Sequence, residues 1–448
     1  MDDFVPPSKL LSDLNLAADL VRGHDYIHIY SHFDTDGLTA ASIVAKALYR
    51  EGKEFTVTIF PTLTEPQMQV IESTPSECII VTDLGASYIS RFDAMDCDIV
   101  VLDHHTLRDQ AKRIRYSNPH MYGIDGMTSG CGASMAFLFA ITLNENNWDL
   151  SALAFTGLVG DRQHVNGLSG LNVYIFNEAS KRGFVKAQPG SLIPVGDLTS
   201  ELVLCTDPYI LGVSGNADGV EKLLKEARIE PGKSSYDLTP EESARLSSLM
   251  CLKLLEQGVT KDKIEECART RYFLPAWGTD AATLSSIVNA CGRQEQASVG
   301  IATCLGDTAA LEQAKRIDLE SRQEVMNRVA SIVKNVIQLE HIQWFDTSDS
   351  GFTGMICGIV MSYVGDPTKP VIGINSSEAM AKVSSRGTFP LIDRGLNLAD
   401  AMNRGCAAVG GEGGGHRIAA GGTFDSTKRD EFLAVVDKII GEQLVPKN

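Results

Sequence analysis

The chain has 448 residues, 44% of them apolar and 22% charged, and its 40 basic and 57 acidic side chains give a formal net charge of −17. That length exceeds what one hydrophobic core usually organises, so two or three domains are expected; no apolar run approaches the roughly 20 residues that span a bilayer, and the acidic start MDDFVPPSKL lacks the basic and apolar regions of a secretion signal. A soluble, cytoplasmic protein is therefore expected, and the acidity excludes a basic coat for polyphosphate, leaving any nucleic-acid contact local.

From Asp25 to Asp103, β-type runs alternate with amphipathic stretches, the pattern of a parallel sheet covered by helices. YIHIY (Tyr26–Tyr30) predicts a strand, LTAASIVAKALY (Leu38–Tyr49) a helix and FTVTIF (Phe55–Phe60) a second strand. CIIVT (Cys78–Thr82) and DIVVL (Asp98–Leu102) predict two more, each a continuous apolar run of the kind found where both faces are covered. Helices are predicted at Cys131–Leu143, Leu150–Val159 and Asn172–Lys181. Between 186 and 335 helical periodicity takes over, as in TPEESARLSSLMCLKLLEQG, Lys261–Arg271 and Leu284–Cys291. Beyond 336, MICGIVM (Met355–Met361), VIGIN (Val371–Asn375) and MAKVS (Met380–Ser384) predict strands. A helix at Leu398–Ala408, a glycine-rich loop, a strand near Ile418–Phe424 and a last helix from Lys428 follow. The expected architecture is α/β in three parts: a parallel-sheet domain over 1–185, a helical connecting region over 186–335, and a smaller α/β domain over 336–448. The 10 cysteines are scattered, none at C-x-x-C spacing, and read as reduced thiols.

The aspartates fall directly after apolar elements. YIHIY runs into Ser31-His32-Phe33-Asp34-Thr35-Asp36-Gly37, CIIVT into Asp83-Leu84-Gly85, DIVVL into Asp103-His104-His105, and the helix LSALAFTGLVG ends at Asp161. In open parallel sheets the carboxyl ends of the strands line the binding crevice, so these segments are expected to converge. Each aspartate alone also reads as a helix N-cap, but capping does not account for the adjacent histidines. Clustered carboxylates are unfavourable unless neutralised, and divalent cations are the usual partners. Carboxylates with imidazoles and no thiolate favour Mn²⁺, with Mg²⁺ the alternative, and Asp83 is the natural ligand to bridge a pair of ions that activate water for phosphoryl chemistry. His24, His28, His120 and His341 lack this context and read as surface or core histidines, while His164 fits either pocket wall or framework.

HFDTDG (32–37), TDLG (82–85), LDHH (102–105) and GDRQ (160–163) resemble, in order and spacing, the four motifs of the DHH phosphoesterase superfamily. SSRG (384–387) and GGGHRIAAGG (413–422) resemble the two substrate-gripping motifs of the DHH-associated domain. That branch holds RecJ-like exonucleases, nanoRNases and cyclic-dinucleotide phosphodiesterases. The resemblance implies that His32, Asp34, Asp36, Asp83, His104 and Asp161 hold two metal ions. It further implies that Asp83, His104 and His105 carry the catalysis, with Asp103 orienting the site and His105 contacting the scissile phosphate. Ser385, Arg386, Gly414, Gly415 and His416 would bind substrate, across a cleft between the two α/β domains. Physically, glycines bring backbone N–H groups close to an anion, and the planar guanidinium of Arg386 suits bidentate phosphate contact.

The length and helical middle point to a RecJ-like exonuclease that digests single-stranded DNA or RNA to mononucleotides, as in DNA repair. The acidity suits a nanoRNase-like or cyclic-dinucleotide phosphodiesterase better. A third expectation is a replication-fork scaffold that contacts GINS-type proteins. With no sequence for an OB-fold after the DHH-associated domain, polarity is not inherited from bacterial RecJ.

Overall fold

The computed structural model describes residues 4–347 and 352–444. The chain divides into two compact units, one of residues 1–190 and 269–321, the other of residues 191–268 and 322–448. The stretch 186–335, taken from sequence as one connecting region, thus contributes segments to both. Among the described residues no helix is long and apolar enough to cross a membrane, and the 10 cysteines are free thiols.

The first unit is built on five parallel strands, β1 (Tyr26–His32), β2 (Glu54–Phe60), β3 (Cys78–Thr82), β4 (Asp98–Leu102) and β5 (Arg115–Ser117), in the order β2-β1-β3-β4-β5. Side chains alternate strictly between faces, as a period of two demands. Ile27, Ile29, Ile80, Val100 and Leu102 join one core cluster, while Tyr30, Ile79, Val81, Ile99 and Val101 join another on the opposite face. The second cluster is closed by Met68 and Ile71 of α3 (Glu65–Ser73) and by Ile89 and Phe92 of α4 (Ile89–Ala94).

The first cluster carries α1 (Ser8–Arg22), α2 (Thr35–Arg50), α5 (Gly132–Leu143) and α6 (Ser151–Gly160). Helix α2 is buried almost all round, and its alanines, serine and threonines let α5 and α6 approach closely. The helices Ala281–Arg293 and Ala297–Leu305 also pack on it: Thr35 Oγ1 donates to Ser285 O at 3.0 Å and Lys46 Nζ to Leu305 O at 3.0 Å. A small antiparallel sheet of Lys186–Gln188, Arg271–Leu274 and Thr279–Asp280 belongs to the same unit.

Strand order reverses at β1, whose neighbours β2 and β3 lie on either side of it. In a doubly wound sheet the crevice opens where that reversal occurs, at the carboxyl ends of β1 and β3. His32, Asp34 and Asp36 follow from the first of these ends and Asp83 from the second.

The second unit holds a six-stranded sheet in the order Glu412–Gly415, Ala419–Asp425, Met380–Arg386, Val371–Asn375, Gln343–Thr347 and Ile337–Gln338. Among the described residues, only Gln343–Thr347 and Val371–Asn375 pair in parallel. Helices Leu398–Ala408 and Arg429–Leu444 cover one face through Met402, Phe432 and Val436. Two expectations change here. MICGIVM is a helix, Thr353–Ile359, continued by a π-turn at Val360–Val364. Its Ile356, Cys357, Ile359, Val360 and Met361 are all buried in one cluster with Leu246 and Val325, so the run carries no alternation to separate helix from strand. The glycine run is also more than a loop, because Glu412–Gly415 forms an edge strand paired with Ala420–Thr423. Glycine is required at 413 because a Cβ there would stand 2.4 Å from Met402 O.

Candidate metal centre

The turn after β1 is shaped by Gly37, where a Cβ would lie 2.4 Å from His32 O. This close approach lets Asp34 cap α2, its Oδ1 accepting the Gly37 N–H at 3.0 Å, while Oδ2 faces His32 Nδ1 at 3.0 Å. Asp36 points from the first turn of α2 to the start of α5, where its two oxygens accept the N–H groups of Gly132 at 2.7 Å and Ala133 at 2.9 Å. Asp83 leaves β3 with φ of 53°, in the left-handed region, its N–H donating to Leu102 O at 2.9 Å. Its Oδ1 lies 3.2 Å from His104 Nε2 and 4.0 Å from His105 Nδ1, and its Oδ2 3.5 Å from His32 Nδ1. Asp161, just past α6, brings Oδ2 to 3.8 Å from His104 Nδ1, and Asp36 Oδ2 lies 3.7 Å from His104 Nε2.

All six expected ligands and His105 therefore meet at the crevice. Among the described residues, three groups of donor atoms lie close enough to hold an ion: His32, Asp34 and Asp83; Asp36, His104 and Asp161; and Asp83, His104 and His105. Asp83 and His104 each belong to two of them. The donor set fits divalent cations. The backbone carbonyl of Pro61 takes the Nε2 proton of His32 at 3.2 Å, leaving Nδ1 toward Asp34 and Asp83, and the carbonyl of Gly126 takes the Nδ1 proton of His104 at 2.8 Å, leaving Nε2 toward Asp83 and Asp36. Histidines that bind metal are held this way, by their other ring nitrogen. Asp103 is fully buried and does not face the cluster as a ligand. Its Oδ1 accepts His104 N–H at 2.7 Å and His105 Nδ1–H at 2.7 Å, and Oδ2 accepts Ala86 N–H at 2.8 Å, so His105 turns its Nε2 outward on a half-exposed ring.

Proton affinities record how crowded the charges are. Burial, together with the Asp83 and Asp161 carboxylates, pushes Asp36 well above the usual carboxylate range. Burial pulls His32 down, but hydrogen bonds to Asp34 and Asp83 push it up to about 10. His104 is likewise disfavoured by burial and raised well above its ordinary value by Asp83. Burial pushes Asp83 up, yet His104 and His32 outweigh it and hold the carboxyl far below its usual range. Bound cations would take over the role that these protons play.

In the second unit, Ser385 is buried and its hydroxyl donates to Ala420 O at 2.9 Å, while Arg386 Nη1 donates to Ser385 O at 2.9 Å. Gly414, Gly415 and His416 are exposed, at and just past the edge strand, and the His416 N–H donates to Ala419 O at 2.8 Å. His24 and His28 have framework partners, Asp98 at 2.8 Å and Thr58 at 2.9 Å.

Residues 26–158 match the DHH family, N-terminal domain, and residues 342–442 match the DHHA1 domain. The chain belongs to the DHH phosphoesterase superfamily. Within it the fold is RecJ-like. Protein MJ0831 of Methanocaldococcus jannaschii is 34% identical over 437 residues, 95% of each chain. RecJ of Thermus thermophilus, solved with Mn²⁺, superposes with a TM-score of 0.60 at 16% identity over 98% of this chain, which spans 56% of that protein. CDC45 of Entamoeba histolytica superposes with a TM-score of 0.63 at 11% identity, over 96% of this chain and 99% of that one. At these identities the two structural likenesses speak to the fold.

Proposed function

We propose that the chain is a two-metal phosphodiesterase that hydrolyses single-stranded DNA or RNA from an end to mononucleotides. One observation carries this reading: Asp83 shares a three-donor group with His32 and Asp34 and also lies 3.2 Å from His104 Nε2, which belongs to the group with Asp36 and Asp161, as a ligand bridging two ions would. His32, Asp34, Asp36, Asp83, His104 and Asp161 would hold the ions, with Mn²⁺ preferred to Mg²⁺ for the mixed imidazole and carboxylate set. When bound, the pair supplies Lewis acidity toward water and phosphoryl oxygens. His105, oriented by Asp103, presents Nε2 on the open side, placed to donate to a phosphate oxygen. Residues 1–185 would then act as the catalytic domain and 336–448 as the substrate-binding domain, with Arg386, Ser385, Gly414, Gly415 and His416 gripping phosphate.

The test is product analysis on 5′- and 3′-labelled single strands in Mn²⁺. Stepwise release of mononucleotides is expected from the wild type, and Asp83→Asn should abolish hydrolysis without lowering the melting temperature. Cleavage by Asp83→Asn at the wild-type rate would sink the proposal. The charge of −17 favours a second reading, action on very short oligonucleotides or a cyclic dinucleotide. Activity confined to di- and trinucleotides in a chain-length series would select it. The likeness in fold to CDC45 supports a third, a scaffold for GINS-type replication proteins. Absence of hydrolysis on every substrate, with GINS-type proteins co-purifying, would be its signature.

A further inference from the structure

Behind Asp161 and His104 lies a chain of buried polar side chains that the reading above does not use. Ser134, Gln163 and Asn172 are each at most 4% exposed. Ser134 Oγ donates to Asn172 Oδ1 at 2.8 Å, and Asn172 Nδ2 donates to Gln163 Oε1 at 2.8 Å. Gln163 Nε2 then donates twice, to Gly126 O at 2.8 Å and to Asp161 Oδ2 at 2.9 Å. Gly126 O is the same carbonyl that accepts the Nδ1 proton of His104 at 2.8 Å.

The direction of this chain is fixed at the metal end. Gln163 faces a carbonyl and a carboxylate there, so its nitrogen must lie on that side and its oxygen must accept from Asn172 Nδ2, which leaves Asn172 Oδ1 to accept the Ser134 hydroxyl. Turning Gln163 over would set its carbonyl oxygen against the Asp161 carboxylate and the Gly126 carbonyl, leaving acceptors crowded together without a donor. The NH₂ group of Gln163 is thereby held on both. Asp161 keeps one oxygen tied down and the other free, and the Gly126 carbonyl is pinned where it sets the ring of His104.

We propose that Gln163, aligned by Asn172 and Ser134, is a positioning residue that sets Asp161 and His104 for cation binding. The inference rests on the metal-centre reading and adds that a neutral amide two residues beyond Asp161, in the same turn after α6, determines how tightly the cation is held. Outer partners of this kind typically contribute about 10- to 100-fold in metal affinity.

The test uses the full-length metal-free protein and Mn²⁺ alone, with binding read from the loss of the free-ion electron paramagnetic resonance signal. Gln163→Leu, close in volume but without donors, should weaken Mn²⁺ binding by about 10- to 100-fold, and the spectrum of the ion that remains bound should change. Asn172→Leu should reproduce the loss. Wild-type affinity and spectrum in Gln163→Leu would overturn the inference and leave the metal centre standing, whereas a wild type that takes up no Mn²⁺ would overturn both. If Gln163→Leu does not fold, Ser134→Ala replaces it, since it removes one oxygen and adds nothing. Weakened binding in Ser134→Ala, restored by Ser134→Thr, supports the relay; unchanged binding in Ser134→Ala counts against it.

Discussion

Asp83 adopts a backbone conformation that side chains with a Cβ visit rarely, and such positions cost about 1–3 kcal/mol unless their surroundings enforce them. Here the enforcement comes from the end of β4, through Leu102 O, and from the glycines that stand against the carboxylates. A Cβ at Gly132 would lie 2.6 Å from Asp83 Cβ and 2.9 Å from Asp36 Oδ2, and one at Gly157 would lie 2.8 Å from Asp36 Oδ1. Gly132→Ala should therefore drive Asp36 and Asp83 apart. Overpacking of this kind costs about 1–3 kcal/mol, and Mn²⁺ affinity should fall by at least about 10-fold as the ligands separate. Thermal melting and calorimetric titration with Mn²⁺ measure the two effects; unchanged titration would show that these glycines do not shape the site. The carboxylates and histidines were legible in the sequence because each follows an apolar run. Gly132 and Gly157 were not, because their importance lies in contacts made across large separations in the chain; Gln163 falls within GDRQ, but its partners Asn172 and Gly126 carry no sequence signal.

At the scale of elements, the strands β1 to β4 were readable from their apolar runs, and the helices α2, α5, α6 and α7 (Gly170–Lys181) were readable from theirs, within a few residues. Helix α1 gives a weak signal although Leu10, Leu14, Ala17, Ala18 and Val21 recur at helical spacing, because their polar neighbours leave the segment little overall apolarity. Strand β5 is only three residues long and follows RDQAKRI, too polar to announce a sheet edge. Its approach is organised by Asp93, at the end of α4, whose carboxylate accepts the N–H groups of Lys112 at 2.7 Å, Arg113 at 2.9 Å and Ile114 at 3.1 Å. Burial pushes this carboxyl up, but the three donors outweigh it and hold it below the ordinary range. A depressed folded-state value stabilises above the unfolded value of about 3.9, and the contribution is lost as pH falls through the folded one. Asp93→Asn should thus cost about 1 kcal/mol at pH 7, after allowance for solvent screening. The gap to wild type should close as pH drops below about 4. Urea melts at pH 7 and pH 3.5 measure this, and a gap of constant size would assign the effect to hydrogen-bond geometry instead of charge.

Taken as a whole, the molecule carries 40 basic against 57 acidic side chains, and two divalent ions would move its charge only from −17 to about −13. Long-range forces thus repel a polyanion, and affinity has to come from a few close contacts that outweigh the field around them. This sets the salt response. Each phosphate contact on a single strand contributes about −0.7 to the slope of log K against log salt, so two or three contacts predict a loss of about 7- to 20-fold between 50 and 200 mM, far below the 10³- to 10⁵-fold of proteins making six to ten contacts with duplex. Arg386, with a guanidinium suited to phosphate, is the residue on which that slope should depend most. In the Asp83→Asn background, where the strand survives, Arg386→Ala should weaken binding at 50 mM salt and flatten the slope by about 0.7–1. Fluorescence anisotropy of a labelled oligonucleotide measures both. A slope as steep as that of six contacts would mean that a basic track outside Arg386 and the glycine strand carries the substrate, and an unchanged slope in Arg386→Ala would remove this arginine from phosphate recognition.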